Sequence, residues 1–105
     1  MFMYRFEWNE RLLIALPVLD VDWEQYSPAE QLVIVEQWEL IRGTIPDRVM
    51  EFERIINRMQ NELFEEENFE ESCRLNAEIA EYASRINDLH IWYRTNQELD
   101  SRRHS

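Results

Sequence analysis

The helical pattern is clearest from Ile45 to Tyr93, where the sequence reads IPDRVMEFERIINRMQNELFEEENFEESCRLNAEIAEYASRINDLHIWY. Its large apolar residues recur at alternating spacings of four and three on both sides of an acidic run, which is the period of a helix with one apolar seam. The seam residues are Ile45, Val49, Phe52, Ile56, Met59 and Leu63, then Leu75, Ile79, Tyr82, Ile86, Leu89 and Tyr93. We therefore expect helices at about 45–66 and 69–99, joined by a short turn into an antiparallel hairpin.

A third helix precedes this hairpin. Ser27 and Glu30 flank Pro28 in the pattern of a capping box with proline in the first turn, which predicts a helix over about 28–42. Gly43 follows it, and we expect this glycine to end the helix in the left-handed conformation, with Thr44 capping the next helix.

The first 26 residues are predicted to form an arm that packs on the helices. Phe2, Tyr4, Phe6 and Trp8 alternate with other residues in a strand-like pattern, and the segment from 9 to 16 could form a short helix ended by proline. The predicted class is all-α, with three main helices and an N-terminal arm plus short helix. We expect one domain over 1–105, with a frayed tail at 100–105.

The two long helices differ in predicted length. At 1.5 Å per residue the second rises about 33 Å and the third about 46 Å. Antiparallel pairing places Ile45 opposite about Ile91, so that Trp92 and Tyr93 start an overhang that the second helix cannot cover. The arm or a second copy of the chain must cover these rings, and the small core favours the second copy, a homodimer.

Composition excludes several classes of function. The formal net charge is −11, with 22 acids against 11 bases, which disfavours direct nucleic-acid binding. A single cysteine rules out a disulfide or a cysteine-based zinc site within one chain. The longest apolar run, Leu12–Leu19, is too short to span a bilayer. We expect a cytoplasmic protein with no membrane contact and no cofactor.

The window from 62 to 71 holds six acids and no base. The predicted acidic patch consists of Glu62, Glu65, Glu66, Glu67 and Glu71. It is compatible with a solvated hairpin tip, with a partner-binding or phosphate-mimicking surface, or with a metal site.

Residues 69–79, FEESCRLNAEI, resemble the second helix of the UVR motif, the helical hairpin of the excision-repair proteins UvrB and UvrC. Phe69, Glu70, Leu75 and Ile79 match, whereas Asn76 and Ala77 stand where the motif has Arg and Asp. The resemblance covers about residues 52–82 and implies pairing with another protein. The partner-binding residues that we predict are Phe69, Glu70, Arg74, Leu75, Trp92 and Tyr93.

Three functions remain open from the sequence. The first is a small acidic helical protein–protein interaction module, an adaptor or regulator that pairs with itself and with another protein. The second is an acidic nucleic-acid mimic that inhibits a basic partner. The third is a metal-dependent all-α enzyme using Glu-x-x-Glu pairs, but no Glu-x-x-Asp accompanies them and His90 lacks a ligand partner at helical spacing. We therefore predict no catalytic residue, no metal ligand and no enzymatic activity.

Overall fold

A computed structural model gives the fold, describing the backbone of residues 3–104 and the side chains of residues 3–95. Along the described residues the elements are β1 (Tyr4–Asn9), β2 (Ile14–Leu19), a 3₁₀ turn (Trp23–Gln25), α1 (Pro28–Arg42), α2 (Ile45–Glu65) and α3 (Phe69–His104). The predicted bounds of α1 and α2 agree closely with these, whereas α3 extends past the predicted end at about 99. The structure describes only the backbone of residues 100–104, as part of α3, and Ser105 lies outside the described residues, so the frayed tail at 100–105 stays a prediction.

The N-terminal arm is an antiparallel β-hairpin, so the predicted all-α class is wrong and the fold is mixed α and β. β1 pairs with β2 so that Tyr4 lies opposite Leu19 and Phe6 opposite Pro17. The short helix predicted over 9–16 is also wrong, because those residues form the turn and the beginning of β2. The strand-like alternation was recognised in β1, but the apolar run that forms β2 has no such alternation. A strand depends on cross-strand pairing and packing, which a local pattern does not show.

The hairpin turn is built by Asn9 and Leu13. The Asn9 side chain accepts a hydrogen bond from the Leu12 N–H at 2.8 Å, and its backbone oxygen accepts one from the Leu13 N–H at 2.7 Å. Leu13 has φ 57°, the left-handed conformation that reverses the chain into β2. Such a turn directs Leu12 and Ile14 inward, and both are buried.

The capping box of α1 is confirmed. Ser27 Oγ accepts from the Glu30 N–H at 3.1 Å, and the Glu30 carboxylate accepts from the Ser27 N–H at 2.9 Å. The predicted conformation of Gly43 is wrong, because its φ is −62° and the backbone stays right-handed. Thr44 lies at the N-cap of α2, but its hydroxyl donates back to the Ile41 oxygen at 2.7 Å instead of capping. The link between α1 and α2 is therefore a tight right-handed turn.

The helical hairpin of α2 and α3 forms in the predicted register. Ile45, Val49, His90 and Tyr93 line one cleft, which places the beginning of α2 beside residues 90–93 of α3. The most deeply buried seam residues are Ile45, Phe52, Leu75 and Leu89. The alternating apolar spacing therefore identified the contact between these helices correctly.

The core divides the molecule into two parts, which we call the head (residues 3–58 and 81–95) and the stalk (residues 59–80). The main core cluster lies in the head and contains Leu12, Ile14, Trp38, Ile45, Val49, Phe52 and Leu89. A second cluster there contains Trp23, Tyr26, Ile34 and Val35. In the stalk only α2 and α3 pack on each other, burying Met59 and Leu75. The described chain is correspondingly elongated, measuring 59 × 20 × 20 Å.

Candidate protein-interaction surface

The far end of the stalk, which we call the tip (residues 62–71), is an ordered turn. α2 ends at Glu65, and the Glu66 N–H donates to the Leu63 oxygen at 3.2 Å. The Asn68 side chain then accepts from the Glu71 N–H at 2.9 Å, which caps the beginning of α3. The Glu66 carboxylate accepts from the Asn68 N–H at 3.0 Å, which closes the turn.

Two phenylalanines project from the tip into solvent. Phe64 is 92% exposed and Phe69 is 80% exposed, more than any other large apolar side chain of the described residues. They lie on either side of the turn at 66–68, one in the last turn of α2 and one in the first turn of α3. Isolated exposed apolar residues are normal on a protein surface, but two largely exposed aromatic residues at one end of an elongated molecule make the tip the candidate contact surface.

The carboxylates around these rings are mostly unpaired. Glu62, Glu65, Glu67 and Glu70 are exposed and take part in no ion pair among the described residues. Glu71 is paired with Arg74, which also donates to Glu78 at 2.8 Å. The hydrogen bonds from Arg74 hold the pKa of Glu71 below its ordinary value and raise that of Arg74. The tip therefore presents aromatic rings within a strongly negative surface.

The six predicted partner-binding residues do not form one surface. Phe69, Glu70 and Arg74 are exposed near the tip, whereas Leu75 is 1% exposed and lies inside the helix pair. Trp92 and Tyr93 lie in the head, and Trp92 is about 25 Å further along α3 than Leu75 at 1.5 Å per residue. Leu75 is therefore not accessible to a partner, and contact with the other five would require a partner that spans the length of the stalk.

The overhang predicted at Trp92 and Tyr93 is partly covered within the chain, and Tyr93 is still 37% exposed. Trp92 packs edge-on against Trp38 of α1, with ring centroids 5.8 Å apart. The Arg42 guanidinium lies 4.2 Å from the centre of the Tyr93 ring, and its Nε donates to the Tyr93 backbone oxygen at 2.7 Å. Pro17 of β2 lines an apolar cavity of about 200 Å³ together with Trp38 and Trp92. Both α1 and the β-hairpin therefore lie against Trp92 of α3.

The acidic pairs considered for metal chemistry face solvent. The sequence has five Glu-x-x-Glu pairs, and all their members are exposed: Glu7, Glu10, Glu36, Glu39, Glu62, Glu65, Glu67, Glu70, Glu78 and Glu81. Among the described residues no three His, Cys, Asp or Glu side chains are grouped so that they could hold a metal ion. Inward-facing carboxylates are what a helical metal enzyme requires, and this arrangement does not provide them.

The most exposed residue of the tip, Phe64, was not among the predicted site residues. A signal for it was present in the sequence, because Phe64 follows the seam residue Leu63 and is therefore rotated away from the seam. An aromatic residue off the seam, directly before a charged turn, cannot be buried between the two helices.

No family model, curated protein or solved structure matches this chain. In the described part of the chain no helix is long and apolar enough to cross a membrane.

Proposed function

We propose that this chain is a small acidic protein–protein interaction module that binds its partner through the tip. The observation that carries the proposal is the exposure of Phe64 and Phe69 at the end of the stalk, 92% and 80%. Burying an aromatic side chain removes roughly 150–250 Å² from water, and aromatic residues dominate the energetics of protein interfaces. The head is the folded base that holds the stalk, and the stalk carries the two rings away from it.

The charge around the tip defines the partner surface that fits. Four unpaired glutamates surround the rings, so the complementary surface is an apolar pocket bordered by Arg or Lys. The formal net charge of −11 attracts such a surface over long range and speeds association at low salt. An adaptor or regulator in the cytoplasm, where its exposed Cys73 stays reduced, is the role that these properties support best.

The acidic side chains alone favour the second candidate, a nucleic-acid mimic that occupies the basic groove of a partner. The two candidates differ in what the partner recognises. A mimic depends on its carboxylates and tolerates loss of the aromatic rings, whereas the interaction module requires the rings and uses the carboxylates to orient the partner. The UVR resemblance remains a hypothesis, although residues 52–82 do form the helical hairpin that it implies.

Capture of partners from a lysate of the source cells on the immobilised chain tests both candidates. The double variant Phe64→Ser/Phe69→Ser should lose a captured protein that the unmodified chain retains. Leu40→Ser is the matched control, because Leu40 is 78% exposed but lies in the head. A variant with Glu65, Glu66 and Glu67 changed to Gln should weaken capture at low salt without abolishing it. Capture that survives loss of both rings and fails without the carboxylates would favour the mimic.

A further inference from the structure

The outer edge of β1 carries backbone groups that have no hydrogen-bond partner among the described residues. The Asp20 N–H donates to the Met3 oxygen at 3.4 Å. Because hydrogen-bonded pairs alternate along an antiparallel ladder, β1 then bonds to β2 through its odd-numbered residues. The N–H and C=O groups of Tyr4, Phe6 and Trp8 point away from β2, and none of them makes a hydrogen bond elsewhere in the described structure.

The two edges of this hairpin differ in their protection. Pro17 lies opposite Phe6, at a position where its missing N–H faces outward, so it removes a donor from the outer edge of β2. β2 also contacts α1, whereas the main neighbour of β1 is β2. β1 is therefore the open edge, and an open edge of this length is a template for a further strand.

We propose that β1 pairs antiparallel with β1 of a second copy, around a twofold axis at Phe6. This register places Tyr4 of each chain opposite Trp8 of the other, and it joins the outward-pointing backbone groups of both strands. The result is a continuous four-stranded antiparallel sheet across the dimer. Trp8 is 56% exposed in the single chain, and a cross-strand aromatic pair covers part of its ring.

Charge selects this register over its neighbours. Arg5 and Glu7 flank Phe6 symmetrically, so the twofold axis places Arg5 of each chain opposite Glu7 of the other, twice in the dimer. A shift of two residues in one direction would oppose Arg5 to Arg5, and a shift in the other would oppose Glu7 to Glu7. Within one chain Arg5 Nε donates to the Glu7 carboxylate at 2.7 Å, but 58% of the Arg5 side chain and 54% of the Glu7 side chain stay exposed, so both can also reach the facing strand. Opposite charges directly across a strand pair stabilise it and like charges destabilise it.

The pairing is independent of the tip and of the proposed function. It uses the head, and it leaves Phe64 and Phe69 of both chains free. A six-residue strand buries a small interface, so the dimer belongs to the weak end of specific association. Sedimentation equilibrium should therefore span concentrations from about 5 to 500 µM.

Charge reversal at the strand distinguishes pairing between chains from the Arg5–Glu7 ion pair within one chain. Arg5→Glu alone and Glu7→Arg alone place like charges opposite each other at both positions, and each should weaken the dimer about tenfold or more. An equimolar mixture of the two variants should form a heterodimer, because every cross-chain pair is then attractive. The pair within each chain stays broken in that mixture. Arg54→Glu, an exposed charge change of equal size in α2, is the control and should have no effect.

Amide hydrogen exchange gives a second readout that does not require variants. The amides of Tyr4, Phe6 and Trp8 should become protected as concentration rises, while those of Arg5 and Glu7 are protected throughout by β2. A folded chain that stays monomeric at the highest concentration, or a dimer that is insensitive to both charge reversals, would overturn the proposal. So would a mixture of the two variants that is no more associated than either one.

Discussion

Arg11, in the turn of the β-hairpin, donates its Nη1 to the Asp88 carboxylate of α3 at 2.5 Å. The same guanidinium donates Nε to Glu81 at 3.1 Å and Nη2 to the Ser84 hydroxyl at 2.7 Å. One side chain from the segment that was predicted to be a short helix thus holds the hairpin on α3. Leu12, which follows Arg11, and Leu89, which follows Asp88, belong to the same buried core cluster.

The Arg11 contacts should make a measurable contribution to stability. Replacing Arg11 by Ala removes three hydrogen bonds at a partly exposed site, so we expect a loss of about 1 kcal/mol in the free energy of unfolding. Urea denaturation followed by circular dichroism measures the change. Arg54→Ala serves as the control, because this exposed residue of α2 has no ion pair among the described residues. Equal losses in the two variants would contradict a specific role for Arg11.

Acid should weaken the attachment of the hairpin. Hydrogen bonds from Arg11 and then from Arg85 hold the pKa of Glu81 below its ordinary value of 4.5. A pKa that is lower in the folded state stabilises the fold at pH values above the unfolded-state pKa. This contribution disappears as the pH falls through the folded-state pKa. The midpoint of thermal unfolding should therefore fall as the pH is lowered from about 5 to 3. In Glu81→Gln this part of the pH dependence should be absent. If this variant shows the same pH profile as the unmodified chain, the Glu81 carboxylate does not cause the acid sensitivity.

Trp92 should matter for folding within a single chain. Its ring contacts Trp38, which is 1% exposed, so Trp92→Ala leaves a gap against the head core. We expect a loss of about 2–4 kcal/mol in the free energy of unfolding, at the low side of values for fully buried tryptophan. The neighbouring Ile91 is 49% exposed, and Ile91→Ala should cost less than about 1 kcal/mol. Chemical denaturation of both variants at one low protein concentration makes the comparison.

The Asn68 cap at the tip should contribute to stability independently of the charges around it. Asn68→Ala removes the acceptor for the Glu71 N–H and should destabilise the stalk by about 1 kcal/mol. The exposed Asn61 within α2 provides a control, because Asn61→Ala favours the helix. Denaturant titration compares the two, and a neutral Asn68→Ala would show that the turn holds without its cap.

Replacing the three glutamates at 65–67 by Gln should leave stability unchanged or raise it slightly. These carboxylates repel one another at close spacing, and a glutamine at 66 can still accept the hydrogen bond from the Asn68 N–H. Thermal unfolding of the triple variant at low and high salt tests this, since any gain should shrink as salt screens the repulsion. A clear loss of stability would mean that these side chains hold the turn in a way that the contacts do not show.

The helical part of this protein was determined by local patterns. The spacing of Ile45, Phe52 and Leu89 fixed which faces of α2 and α3 meet, and the Ser27–Glu30 pair fixed the beginning of α1. These features depend on residues three or four positions apart, where the physical interaction and the sequence signal have the same range.

Contacts between distant parts of the chain determine what pairs with β1 and what packs on Trp92. Tyr4, Phe6 and Trp8 had the period of a strand, but a strand exists only with a partner, and β2 was hidden in an apolar run that also suits a helix. The contact of Trp38 with Trp92 joins residues 54 positions apart and depends on how α1 crosses α3. The sequence showed that Trp92 needed cover. Only the assembled head determined that α1 and the β-hairpin supply it within the chain, while Phe64 and Phe69 remain exposed at the tip.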